Sequence, residues 1–314
     1  MNGGAIEKIF LRFERQSASA NSIFEFVVDD RPQQFFYDDG FPITAAERWI
    51  KTKIEILGQY VSAVAMGLAG RVDDLVLVEL FTGNGLFSLG AHKQVFPGVG
   101  LSALSQNLPI TKFVFCEKDP EQYRVLKIRV NRHFRGSNII LLEGKPEDLV
   151  EKIKMYIPPT KGRYRSAVIG ICDPFSFDMP FDALEKLADW GFSFLIPFTF
   201  AINDRIDYRY YLKEHKDRLV KYLGSQGDFD RLQQETTSNS QFYKRMVQCY
   251  QNNMLARGMN GSVSIQRLES GLMEMPVYYI GFFSRILPTK SIQKEIEEGG
   301  HVQYDLFSGP SPAA

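Results

Sequence analysis

Cysteine is scarce in this chain. There are three, Cys116, Cys172 and Cys249, an odd number with no Cys-x-x-Cys spacing. That pattern argues against a disulfide framework and against a structural zinc site. No metal site is expected, and a reducing cytoplasm is the expected compartment. Cys116 and Cys172 fall inside apolar strand-like runs, where a free thiol serves as a small buried hydrophobe. Net charge is missing too: 37 Lys and Arg balance 37 Asp and Glu. No global field therefore draws the protein toward nucleic acid or a membrane surface, although a local basic patch stays open. Long apolar runs are absent, since none approaches the roughly 20 residues of a membrane span. The first residues, 1–14, are mixed and charged, unlike a signal peptide. Internal repeats and low-complexity segments are not seen.

What is present is enough apolar sequence for a large core, 44% of 314 residues. The length suits one generous α/β domain, or one with an insertion. Residues 1–45 read as an irregular, polar N-terminal lead, with one short strand possible at 23–28. Thr44, with Glu47 three residues on, matches a capping box. It opens a helix expected from about Ala45 to Leu68, with Ile50, Ile54, Leu57, Tyr60, Val61 and Val64 on one face. Five strands follow, at 75–80, 113–117, 138–142, 167–173 and 192–198, with helices at 119–134, 146–156 and 181–189. Strands alternating with helices imply a parallel sheet with right-handed crossovers. Residues 203–258 read as a helical insertion. Two alternating runs, 262–268 and 277–283, suggest an antiparallel pair at the sheet edge. The α/β domain is thus expected over 46–285 and a C-terminal tail over 286–314, loose from Gly299.

The first strand leads straight into a corner, Glu79-Leu80-Phe81-Thr82-Gly83-Asn84-Gly85. In a doubly wound fold, ligands lie at such strand ends. A dinucleotide fingerprint requires a third glycine at a set spacing. Here Gly90 comes two residues late, which disfavours a nicotinamide or flavin cofactor. An acid followed by a two-glycine turn looks instead like the first motif of class I S-adenosylmethionine methyltransferases. That cofactor has no phosphate, and its ammonium group suits a carboxylate such as Glu79. Glu117 closes the second strand, where that fold places the carboxylate that accepts both ribose hydroxyls. Glu117 can also favour the N-terminus of the next helix, though its position at the strand end favours the ribose. Asp119, followed by Pro120, reads as that helix's cap. Glu143, at the third corner, is either an adenine contact or a solvated turn residue. The fourth corner is Asp173-Pro174-Phe175. It has the acid, the proline and the aromatic of the Asp/Asn-Pro-Pro-aromatic corner of amino-methyltransferases, without the second proline. Asp173 can orient an amino group, act as a base or cap a helix.

Taken together, several pieces resemble the three-Cys-motif partner (TcmP) family. They are Trp49 and its Lys-rich helix, the 79–85 corner, Gly98 to Leu104, Phe115-Cys-Glu-Lys-Asp-Pro120, Tyr123 to Leu126, Asp173 to Phe175, Pro276 to Ile280 and Gln303 to Phe307. The usual family corner reads Phe-Ala-Gly-Pro-Gly, and here it is Phe81-Thr-Gly-Asn-Gly85. The resemblance implies a Rossmann-like class I methyltransferase sandwich. This has a mostly parallel seven-stranded sheet, an antiparallel C-terminal strand pair and a helical insertion. It also implies S-adenosylmethionine as cofactor and a partner protein whose three-cysteine cluster binds an iron–sulfur centre in radical chemistry. The candidate cofactor residues are Glu79, Phe81, Thr82, Gly83, Asn84, Gly85, Glu117, Lys118 and Glu143, and the candidate catalytic residues are Asp173, Pro174 and Phe175.

The insertion carries ten basic and seven acidic residues over 203–258. Arg209, Lys213, Lys216 and Lys221, interleaved with Tyr208, Tyr210, Tyr211 and Tyr222, suit either a nucleic-acid surface or a solvated helix with i, i+4 ion pairs. Two functions are open: methyl transfer to a nitrogen of a nucleic acid or protein, and a non-catalytic module of the same fold that works with the cysteine-cluster partner.

Overall fold

The computed structural model describes residues 36–90, 94–160 and 163–305. The strand expected at 23–28 and the end of the 303–307 motif lie outside the described residues.

A central sheet orders the molecule. Its strands are β2 (Asp74–Glu79), β5 (Lys112–Glu117), β6 (Ile139–Glu143), β7 (Ser166–Ile171), β8 (Phe192–Phe198), β9 (Asn260–Arg267) and β10 (Val277–Ser284). They lie side by side as β6-β5-β2-β7-β8-β10-β9. The first five are parallel, and β10 runs antiparallel to both β8 and β9. This is the expected Rossmann-like class I methyltransferase sandwich, down to the antiparallel C-terminal pair. Leu75, Val76, Leu77 and Val78 are all buried, because β2 is covered on both faces; hence its unbroken apolar run. The chain moves outward from β2 to β5 and β6, then returns to β7 on the other side of β2. The strand order reverses between β2 and β7, and their carboxyl ends frame the crevice where such sheets bind ligands.

The connecting helices are α1 (Arg48–Leu68), α2 (Val99–Ser105), α3 (Pro120–His133), α4 (Pro146–Met155) and α5 (Phe181–Asp189). The insertion forms α6 (Tyr208–Glu214), α7 (Lys216–Leu223), α8 (Gln226–Glu235) and α9 (Asn239–Ala256). Helix α10 spans Thr289–Asp305. Asp119 caps α3 as expected, accepting the N–H groups of Glu121 and Gln122.

Three expectations are corrected. Thr44 is not a helix cap. It starts β1 (Thr44–Ala46), which pairs with β3 (Leu86–Leu89), and β3 pairs in turn with β4 (Gln94–Pro97). Helix α1 starts at Arg48, and Glu47 turns its carboxylate to the Trp49 indole N–H at 2.6 Å. The local capping signal loses to tertiary pairing. Second, two strands and a helix that were not expected lie between the first two sheet strands: the β3–β4 hairpin follows Gly85 and leads to α2. Third, the chain from Gly299 to Asp305, expected to be loose, continues a helix that begins at Thr289. Helix α10 packs on α1 and β9, and the burial of Ile292 offsets the roughly 1 kcal/mol that each glycine costs inside a helix. The 36–46 segment likewise belongs to the α/β unit rather than to a separate lead.

Candidate functional site

The glycine corner is built from backbone. Gly83 and Gly85 have φ of 63° and 84°, values a side chain strongly disfavours. Glu117, at the end of β5, holds the turn: its Oε2 accepts the Gly83 N–H at 2.7 Å and its Oε1 the Asp119 N–H at 2.8 Å. Thr82 is buried, and its N–H donates to the Cys116 carbonyl. Phe81 is half-buried beside it. The Asn84 side chain is turned toward protein. Its amide donates to Thr44 Oγ1, and its Oδ1 accepts from Leu86 N and Arg129 Nη1. Arg129 in turn grips Asp39 through two nitrogens at 2.8 and 2.9 Å. Burial acts to raise the Asp39 carboxyl, but hydrogen bonds from Arg129 and Phe41 outweigh it and hold the group below its ordinary value.

Glu79 ends β2 and is 7% exposed. Its Oε2 is buried with no hydrogen-bond partner. Burial, and after it the charge of Asp173, pushes the carboxyl up to about 8, against the Gly100 N–H and the Thr82 hydroxyl, which act to lower it. Gly100, in the first turn of α2, leaves room for that carboxylate, since a methyl group there would overlap both Oε2 and the Phe115 ring.

Asp173 follows β7, the neighbour of β2, two residues beyond the Glu79–Ile171 pair. Its Oδ2 lies 2.6 Å from Lys53 Nζ, and its Oδ1 accepts a long hydrogen bond of 3.4 Å from Thr199. Pro174 and Phe175 are half-buried. Phe175 has φ of 49°, the one non-glycine residue with positive φ among the described residues. A bulky residue in that region is strained. Its ring meets Trp49, which also touches Tyr278. The Tyr278 hydroxyl is buried without a partner, and burial together with Asp173 keeps it protonated far above its usual range.

Lys118 is exposed and pairs with Asp178 at 2.6 Å. Arg218 of α7 reaches the same Asp178, so the second and fourth corners are tied to the insertion. Glu143 sits opposite Glu117 in the β5–β6 register and is exposed. Both of its readings stay open.

The basic residues of the insertion do not share one helix face. Arg209 and Lys213 lie on α6, Lys216 and Lys221 on α7. Tyr211 and Tyr222 are buried against Phe177 and serve the core. Tyr208 is half-buried, and Tyr210 is 40% exposed. Arg209 pairs with Asp207, Lys213 with Glu214 and Arg231 with Asp228. None of these pairs has i, i+4 spacing.

Lys53, Asp39, Arg129 and Thr199 were not singled out from sequence, and Tyr278 entered only within the stretch from Pro276 to Ile280. Lys53 had a signal: it lies one turn after Trp49 and one before Leu57, inside the buried stripe of α1. Arg129 had the same signal, between buried Leu126 and Val130 of α3. Asp39 sits in a turn motif and carries none. No helix among the described residues is long and apolar enough to cross a membrane.

No family model and no curated protein matches the chain. Solved structures do. Protein LPL1258 from Legionella pneumophila is 12% identical over 77% of this chain and 90% of its own, with a TM-score of 0.45. An O-methyltransferase from Bacillus cereus, in complex with SAH, is 8% identical over 90% of this chain and 91% of its own, with a TM-score of 0.36. TYW2 from M. jannaschii, in complex with AdoMet, is 12% identical over 75% and 74%, with a TM-score of 0.33. Each TM-score is below 0.5, and the fold of this chain stands on its own strand order.

Proposed function

We propose that this chain binds S-adenosylmethionine between β2 and β7 and transfers its methyl group to a nitrogen of a nucleic acid or protein. The buried, unpartnered Oε2 of Glu79 carries this reading. A buried acceptor without a donor is costly, and an ammonium group brought by a ligand satisfies it. The donor set fits that cofactor rather than a pyrophosphate: carboxylates stand at the ends of β2 and β5, and the turn between them bends backbone without adding charge. Glu117 spends one lone pair of each oxygen on Gly83 and Asp119. A carboxylate has about four acceptor sites, so two remain for ribose hydroxyls. When bound, the cofactor supplies an electrophilic methyl group on a sulfonium. Asp173 supplies orientation, its Oδ1 being available to an acceptor N–H.

The three-Cys-motif partner resemblance extends the proposal to a cysteine-cluster partner protein. The macromolecular acceptor would approach past the insertion, whose α7 touches the fourth corner through Arg218. Titration with S-adenosylhomocysteine followed by calorimetry tests the cofactor reading. Absence of heat and of any thermal shift at millimolar ligand rejects it.

A second reading keeps the fold and drops the transfer, leaving a binding module for that partner. The Lys53–Asp173 ion pair favours it, because it occupies one oxygen of the acid. Turnover of labelled cofactor over DNA, RNA and protein pools separates the two. A labelled product that disappears in Asp173→Ala rejects the binding module.

A further inference from the structure

Helix α1 carries a lysine where its buried stripe calls for an apolar residue. The Lys53 side chain is 6% exposed, and its ammonium meets Asp173 at 2.6 Å. It is the one buried lysine among the described residues. Burying an ammonium is costly unless it is paired, and replacing such a pair with apolar groups is often neutral or stabilising. Packing therefore does not require Lys53. Its place beside the fourth corner, against the Trp49 ring, suggests what it does there.

Glu79 and Asp173 end neighbouring strands, and the charge of Asp173 reaches Glu79. Without Lys53, that corner would hold two carboxyls and no counter-charge. Such a corner attracts a protonated aliphatic amine, which has no lone pair to offer a methyl group. With Lys53 on Oδ2, Asp173 is charge-balanced, while the cofactor's ammonium balances Glu79. Oδ1 then faces an acceptor as a hydrogen-bond partner rather than as a net charge. Resting on the cofactor reading above, we infer that Lys53 sets the acceptor class. The corner takes a nitrogen uncharged at neutral pH, such as an amide or an aromatic exocyclic amine, and rejects an aliphatic ammonium.

The test uses two ligands. S-adenosylhomocysteine is neutral at the transfer position, whereas sinefungin places an amine there. Calorimetry gives the affinity ratio of the two for the full chain and for Lys53→Met, Lys53→Arg and Asp173→Asn. Lys53→Met should shift the ratio toward sinefungin by about 10-fold or more. Lys53→Arg should hold the wild-type ratio, and Asp173→Asn, which leaves the lysine uncompensated, should shift it the other way. If Lys53→Met does not fold, as thermal unfolding will show, Asp173→Asn and the double variant Lys53→Met/Asp173→Asn carry the comparison. The double variant, neutral again, should return to the wild-type ratio. A ratio unmoved by these substitutions overturns the inference and leaves the cofactor reading standing. A wild-type protein that binds neither ligand overturns both.

Discussion

Glu117 Oε2 accepts the N–H of Gly83 at 2.7 Å, so the end of β5 fixes the turn that follows β2. A residue expected to serve the ribose also builds the floor beneath it. Glu117→Gln puts an amide NH₂ against one of the two N–H groups it now accepts. The substitution should cost roughly 1–3 kcal/mol, as one buried donor loses its acceptor. Amide exchange at Gly83 or Asp119 should accelerate, and S-adenosylhomocysteine should bind more weakly. Unchanged exchange at both amides would show that the turn holds itself.

Arg129 joins three separate stretches of chain: Asp39 and Pro42, the Asn84 corner, and its own helix α3. The Arg129 and Asp39 side chains are 3% and 4% exposed. Removing one partner of a buried pair leaves the other uncompensated and costs about 3–5 kcal/mol. Arg129→Met is therefore expected to lower the denaturation midpoint by that amount. Because the Asp39 carboxyl lies below its ordinary value, its contribution is present at neutral pH and is lost as acid protonates it. The penalty of Arg129→Met should accordingly shrink as pH falls below about 4, which urea melts across pH will measure.

Glu79 predicts the opposite slope. Its carboxyl is raised from 4.5 to about 8 by burial and then by Asp173. The protonated form suits the fold, so this contribution is complete below about pH 4.5 and is lost as pH rises through about 8. Glu79→Gln keeps the shape and removes the titration. The variant should match the wild type near pH 5 and exceed it at pH 9 by roughly 2–4 kcal/mol. An ammonium-bearing ligand needs the ionised form. Binding of S-adenosylhomocysteine below pH 8 should therefore release protons, and affinity should rise with pH until about 8. Calorimetry in buffers of different ionisation enthalpy reads that release directly.

Gly100→Ala tests the space around Glu79. In an open helical position the change would add stability, by up to about 1 kcal/mol. Here the new methyl meets Glu79 Oε2 and the Phe115 ring. Overpacking of this kind costs roughly 1–3 kcal/mol. A lower melting temperature with weakened S-adenosylhomocysteine binding is expected. A gain in stability would show that the carboxylate is free to move.

Much of this was legible from residue order. The five parallel strands, the closing antiparallel pair and α5 followed from apolar period, glycine punctuation and length, all of which are local. Glu79, Glu117 and Asp173 were legible because an acid at the end of a strand run has a defined place once strands alternate with helices. The three-Cys-motif partner resemblance read from those corners is matched by no family model and no curated protein. Thr44 misled for a local reason as well: a capping box and an edge strand share the same residues, and only the presence of β3 decides between them.

Sequence alone determined which residues stand at the strand ends and that the first corner lacks a pyrophosphate fingerprint. Tertiary structure decided what each of those residues faces. It turned Asn84 toward Arg129 and Lys118 toward Asp178, set Lys53 against Asp173 and left Glu79 Oε2 without a hydrogen-bond partner. The reason is that period and spacing report backbone and burial, which neighbours in the chain dictate. The charge a carboxyl meets is set by residues far along the chain, brought within 3 Å only when the sheet and its helices close.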